Sequence, residues 1–352
     1  MSAIESKTIT TSRLATYVSL AGSPDKPCVV LLHGNVSSGQ FYDRIQAELA
    51  SDFYVVVPDM RGFGKSETKA IDATRGVADL SDDIAALLDS PELGLARDAK
   101  VHVVGWSAGG NVTMQLALDH GDRVASMILI NPGSPYGYGG SKDLAGTPCW
   151  PDCAGSGGGT ANPQFVELLR AKDMGDSEQV SPRNVMNGFY WKPPFKPEGE
   201  AEDRYVAAML DTAIGEGNYP GTSEASDNWP GMAPGATGMV NALSPKYLNQ
   251  SGIVELASKP AILWVRGSDD QIVSDTSMFD IGFLGSLGAV PGWPGAEVYP
   301  PQPMVGQTRA VLERYAAAGG SFRELVFEDT GHGPHIEKHD EFIAAAREFW
   351  AS

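Results

Sequence analysis

The sequence predicts an α/β fold on a mostly parallel central sheet flanked by helices, interrupted by a large insertion. Three observations carry this. From about Pro27 to Pro132, short apolar runs rich in Val, Ile and Leu alternate with segments of helical spacing, which implies parallel strands covered on both faces. The rhythm breaks between about 134 and 252, in a stretch rich in Gly, Pro, Asn and Trp. It resumes at Pro260 and, after a second irregular piece from 274 to 306, runs to about Trp350.

The N-terminal MSAIESKTITTSRLATY is polar and lacks the apolar core of a signal peptide, so a cytoplasmic setting is expected. CVVLLHG reads as a strand buried on both faces. SSGQFYDRIQAELAS has helical spacing and serines placed to cap it. DFYVVVPD is a second buried strand, and VADLSDDIAALLDS a helix. KVHVVGWS is a third strand, NVTMQLALDHG a helix stopped by Gly, and VASMILINPG a fourth strand. Beyond the irregular stretch, PAILWVRGSDD is a strand and QTRAVLERYAAAGG an amphipathic helix. SFRELVFEDTGH is the last strand and EKHDEFIAAAREFW the terminal helix.

Residues 1–133 and 253–352 therefore form the core domain. Residues 134–252 are too many for an ordinary connection and too aromatic for disorder, so a cap or lid is expected there. Residues 274–306 form a second irregular insertion in the latter half. The formal net charge of −18 disfavours nucleic acid and anionic membranes as partners. No run of about 18 apolar residues occurs, so no membrane insertion is expected. Cys28 lies in an apolar run and reads as a core thiol. Cys149 and Cys153, in CWPDC, could close a small disulfide loop, although a reducing compartment favours free thiols. Without a nearby histidine they make a poor zinc site. No metal or organic cofactor is expected, and the partner is a small-molecule substrate. The sequence leaves oligomeric state open.

Gly105-Trp106-Ser107-Ala108-Gly109 sits between a buried strand and a helix. Small residues on both sides let the chain bend sharply and expose the Ser107 hydroxyl above a helix N-terminus. A serine hydroxyl is a weak nucleophile and needs a base. His332 is the candidate, in a loop after the last strand with glycines on both sides; His335 is the alternative. His33, at a strand end, suits a loop-fixing role, and His102 reads as core. The base needs a carboxylate to fix its tautomer. Asp270 is chosen for that, with the adjacent Asp269 as fallback. Two N–H donors are needed for the tetrahedral intermediate. The Ala108 amide is one, and the Asn35 backbone, in the loop after the first buried strand, is assigned as the other.

Together these residues resemble the capped α/β-hydrolase family. His33-Gly34-Asn35 looks like the family's oxyanion loop. Asp59-Met60-Arg61-Gly62-Phe63-Gly64-Lys65-Ser66 looks like its D-x-R-G-x-G-x-S turn. Gly105 to Gly109 matches the nucleophile elbow, and Gly267 to Val273 resembles the acid loop. Gly331-His332 with His335 and Glu337 resembles the histidine loop. The resemblance implies an α/β-hydrolase fold and a serine nucleophile. Relatives that open epoxides or remove halides use an aspartate where this chain has Ser107, so neither activity is expected. The H-G-G-P-G loop of proline iminopeptidases is missing. Some relatives carry the acid after the sixth strand, but that position here is near Asn131, which cannot serve.

The expected reaction is hydrolysis of a carboxylic ester or lactone through an acyl-enzyme. C–C cleavage of a β-diketone by the same residues is an alternative, and a non-catalytic ligand receptor a more distant one. Aromatic residues can wall an apolar pocket. The 134–252 stretch offers Tyr136, Tyr138, Trp150, Phe189, Tyr190, Trp191, Phe195, Tyr219 and Trp229, and the later insertion Phe283, Trp293 and Tyr299. Trp106, Tyr136, Tyr190 and Trp191 are the residues assigned to substrate, which favours fatty, aromatic or polyketide-like esters.

Overall fold

The computed structural model describes residues 4–351. The apolar runs become the inner strands of one eight-stranded sheet. Its strands are β1 Glu5–Thr10, β2 Ala15–Ala21, β3 Cys28–Leu32, β4 Tyr54–Pro58, β5 Val101–Trp106, β6 Val124–Ile130, β7 Ala261–Gly267 and β8 Phe322–Phe327. Their order is β1-β2-β4-β3-β5-β6-β7-β8. Neighbours from β4 to β8 run parallel, while β1 and β2 join antiparallel at one edge. The β1–β2 hairpin falls in the polar stretch, where the sequence suggested no strand. Only alternate residues such as Ile9, Leu14, Val18 and Leu20 are buried there, and interleaved Thr and Ser dilute the apolar signal.

Side chains of β3 alternate between two cores, as period-two geometry requires. Val30 and Leu32 pack with helices α2 (Ala78–Leu88), α3 (Ala108–Asp119) and α6 (Met304–Ala317). Val29 and Leu31 pack with α1 (Asp43–Leu49) and α7 (His339–Ala351), and with α4 (Pro163–Arg170) and α5 (Ala201–Leu210) of the long insertion. The aspartate turn after β4 is structural. Asp59 accepts the amides of Gly39 and Lys65 at 2.8 and 2.9 Å, and Arg61 forks onto Asp83 of α2 at 2.7 and 2.8 Å.

Between β6 and β7, and again between β7 and α6, the chain leaves the sheet. Buried polar side chains stitch these two excursions together. Gln302 donates to the Gly137 carbonyl at 3.0 Å and accepts from the Gly139 amide at 2.6 Å. Tyr299 donates to the Ala154 carbonyl at 3.0 Å. Cys28, Cys149 and Cys153 are buried, unbridged thiols. Among the described residues no helix is long and apolar enough to cross a membrane.

Strand order reverses at β3: β4 lies on one side and β5 on the other. Ligand sites of open α/β sheets form in the crevice at such switch points. The loops after β3 and β5 are the ones that carry Asn35 and Ser107.

Candidate active site

Ser107 joins the end of β5 to the start of α3 with φ 55° and ψ −121°, a conformation rare for a residue with a side chain. The flanking glycines are required by space. A Cβ at Gly105 would lie 2.2 Å from the Gly109 carbonyl oxygen, and one at Gly109 would lie 2.3 Å from that of Leu32. The turn is held by the Ser107 amide, which donates to the Ile130 carbonyl at 2.8 Å. Val36 and Asn131, in the loops after β3 and β6, also adopt positive φ, at 47° and 39°. Strained backbone thus gathers on three adjacent loops, a pattern typical of functional sites.

His332 follows β8, and its Nδ1 lies 2.8 Å from Asp270 Oδ2, with both side chains buried. The other Asp270 oxygen accepts the amides of Ile272 and Val273 at 2.7 and 3.0 Å. This fixes the carboxylate before the histidine meets it. With Nδ1 so engaged, Nε2 is the ring nitrogen left for Ser107. The His332 carbonyl is also pinned: Trp106 Nε1 and Asn131 Nδ2 each donate to it at 2.8 Å. Asn131 therefore ties the histidine loop to the sheet, a role the sequence did not suggest.

Asp269 is turned away, with one carboxylate oxygen 2.9 Å from Lys192 Nζ. That ammonium and the Ser268 hydroxyl hold its carboxyl below the usual range. His335 is fully buried against Trp106, their rings 5.0 Å apart. Burial pushes it well below its ordinary pKa, which removes it as an accessible base. His33 donates from Nδ1 to the Gly34 carbonyl at 2.8 Å and accepts the Met60 amide on Nε2 at 2.9 Å. That pairing fixes a neutral tautomer, and burial lowers the ring to about 4. His102 is half-buried, less enclosed than expected, and meets Ser126 Oγ at 2.8 Å.

The His33–Asn35 loop packs directly on the Ser107 turn: a Cβ at Gly34 would lie 3.2 Å from that of Ser107. Asn35, Ala108, Ser107 and His332 all line one cavity of about 350 Å³. Its walls are apolar, with Trp106, Phe165, Phe189, Tyr190, Tyr219 and Phe279 among them. No Asp, Glu, Lys or Arg among the described residues lines it.

The aromatic expectations divide here. Trp106 and Tyr190 are at the cavity, as are Tyr138, Phe189 and Tyr219. Tyr136 is not. Its ring covers Gly146 and its hydroxyl accepts from Arg314 at 2.7 Å, so it belongs to the packing of the long insertion on α6. Trp191 is not either. It is buried behind the histidine loop, where a Cβ at Gly333 would come 2.6 Å from its ring. Phe165 and Phe279 were missed. Phe165 has the spacing of an ordinary amphipathic helix, and nothing in that spacing separates a cavity wall from a core. Glu48, His339 and Asp340 place ligand-type atoms within 4.8 Å of one another. Glu48 and Asp340 already pair with Arg347 and Arg44, which leaves little charge there for a cation.

The model of the alpha/beta hydrolase family matches residues 29–346. Over 117 residues, 33% of this chain, the sequence is 40% identical to a Caulobacter sp. (strain K31) protein named carbamate hydrolase RutD, covering 41% of that protein. Over 104 residues, 30% of this chain, it is 38% identical to a pimeloyl-[acyl-carrier protein] methyl ester esterase of Aeromonas hydrophila, covering 37% of it. The chain thus spans about two fifths of the length of the curated relatives it matches. Among solved structures, esterase RhEst1 from Rhodococcus sp. ECU1013 superposes with a TM-score of 0.60 at 18% identity. That superposition covers 100% of this chain and 99% of the other, and at such identity it speaks to fold alone.

Proposed function

The chain belongs to the alpha/beta hydrolase family, and from that premise we propose that it is a serine hydrolase of carboxylic esters or lactones with an apolar or aromatic part. One observation carries the reading. The strained Ser107 and His332, which is backed by the buried Asp270, line the same aromatic-walled cavity. Ser107 Oγ attacks the carbonyl carbon while His332 Nε2 takes its proton. Asp270 holds Nδ1–H and stabilises the imidazolium. The Asn35 and Ala108 amides receive the oxyanion, each worth about 3 kcal/mol to the transition state. His332 returns the proton to the leaving alcohol, and water then releases the acid by the same steps. Among the described residues the cavity wall carries no Asp, Glu, Lys or Arg, which favours neutral substrates, because an unpaired charge would be costly to bury there. A cytoplasmic setting completes the reading.

The test is an ester and lactone panel run on the parent chain and on Ser107→Ala. Turnover should rise from acetate to larger acyl or aryl esters and should fall by at least about 10⁴-fold in the variant. Undiminished turnover in Ser107→Ala would refute the nucleophile. Activity confined to acetate esters would refute the substrate class, and cleavage of a 1,3-diketone without ester turnover would transfer the site to C–C chemistry.

A further inference from the structure

Three loops at the site converge on one tripeptide of the long insertion. Tyr190 ends a π-helical turn, Met186–Tyr190, a turn type that recurs at functional sites, and Trp191 and Lys192 follow it. The Tyr190 hydroxyl donates to the Val36 carbonyl at 2.9 Å, next to Asn35. Trp191 lies against the histidine loop: a Cβ at Gly331 would sit 2.6 Å from its backbone carbonyl carbon. The Lys192 amide donates to Glu337 Oε2 at 2.9 Å. Glu337 Oε1 accepts the Gly331 amide at 2.7 Å. A single carboxylate thus joins the insertion to the residue preceding His332. Lys192 Nζ reaches Asp269 and Asp329 at 2.9 and 2.7 Å, touching the acid loop beside Asp270.

On the serine-hydrolase reading above, we propose that Glu337 and Tyr190 are positioning residues that clip the long insertion to the histidine and oxyanion loops, so that His332 and the Asn35 amide are aligned only while the insertion is seated. Hydrogen bonds to an ionised carboxylate are about twice as strong as neutral ones, and both Glu337 oxygens are engaged by amides from different segments. Neutralising the carboxyl removes one good acceptor and opens one side of the clip. Burial pushes Glu337 up to about 7. The Lys192 and Gly331 amides pull it down, the Asp270 charge raises it, and His332 lowers it. The Lys192 ammonium is engaged by Asp269 and Asp329. The clip is therefore complete above about 7 and weakens as pH falls through that value.

The experiment uses the full chain with Glu337→Gln, Tyr190→Phe and the double variant. It reads kcat and KM for one p-nitrophenyl ester across pH, together with amide hydrogen exchange of the 189–192 and 329–333 regions. Above pH 7, Glu337→Gln should lower kcat by about 10- to 100-fold with KM nearly unchanged, the scale expected for a misplaced catalytic group. The parent-to-variant ratio should shrink toward one at acid pH, because the parent loses its clip too. Exchange should quicken in both regions, and the double variant should lose less than the product of the single losses. A kcat within twofold of the parent, a ratio constant across pH, or faster exchange in one region alone would overturn the proposal. If the parent turns over no ester, the serine-hydrolase reading fails by itself. Exchange then decides the clip: a joint rise in both regions upholds it and no rise ends it.

Discussion

Asp269 and Asp270 are neighbours in sequence with opposite surroundings. Asp270 is buried, with one oxygen fixed by two amides and the other on His332. Asp269 is part-exposed, with Lys192 and Ser268 as its side-chain partners. Removing the Asp270 charge while keeping its shape leaves Nδ1 without its acceptor and favours the wrong tautomer. Asp270→Asn should therefore lower kcat by about 10⁴-fold. Asp269→Asn breaks a part-exposed ion pair and should change kcat by less than about fivefold. Steady-state kinetics on one ester ranks the two, and the reverse order would assign the acid to Asp269.

The elbow is an element-scale device, because its serine is exposed only if strand and helix meet without a side chain between them. Gly109→Ala puts a methyl against the Leu32 and His33 carbonyls at 2.3 and 2.5 Å. It should cost about 3 kcal/mol of stability or prevent folding. Gly121→Ala meets nothing within 4 Å and should stay within about 0.5 kcal/mol of the parent. Urea denaturation compares them, and equal midpoints would contradict the steric account. The parallel strands were legible because a strand buried on both faces writes a continuous apolar run. The β1–β2 hairpin was not, because it buries one face and fills the other with Thr and Ser. The Ser107 turn and the loops of Asp270 and His332 were legible as a candidate site because each carries special residues at fixed offsets. The cavity wall was half legible. Tyr136 and Trp191 look, in sequence, like Tyr190 and Phe189, and only packing decides which side of the insertion an aromatic ring faces. Asn131 acts on the Gly331 and His332 carbonyls of a distant segment, and such a partner leaves no periodic trace.

At the scale of the whole molecule, one edge of the sheet depends on a buried ionic cluster. Arg13, between β1 and β2, and Arg61, after β4, both reach Asp83 of α2, at 2.9 and 2.7 Å. Asp83→Ala removes the fork on Arg61 but leaves Asp79 beside both guanidinium groups, and it should cost about 1.5–3 kcal/mol. Activity per folded molecule should persist, because the cluster lies outside the cavity. Chemical denaturation with an activity assay checks both halves, and a loss below about 1 kcal/mol would contradict the assignment. The same sheet brings Asn35 and Ser107 together at its switch point, and the two excursions close over them. On the proposed reading, that convergence makes Ser107 nucleophilic. Its most direct test is labelling of the intact chain with a fluorophosphonate, followed by peptide mapping. One adduct is expected, on Ser107, lost in Ser107→Ala and greatly slowed in His332→Ala. An adduct on another residue, or labelling that persists in Ser107→Ala, would contradict it.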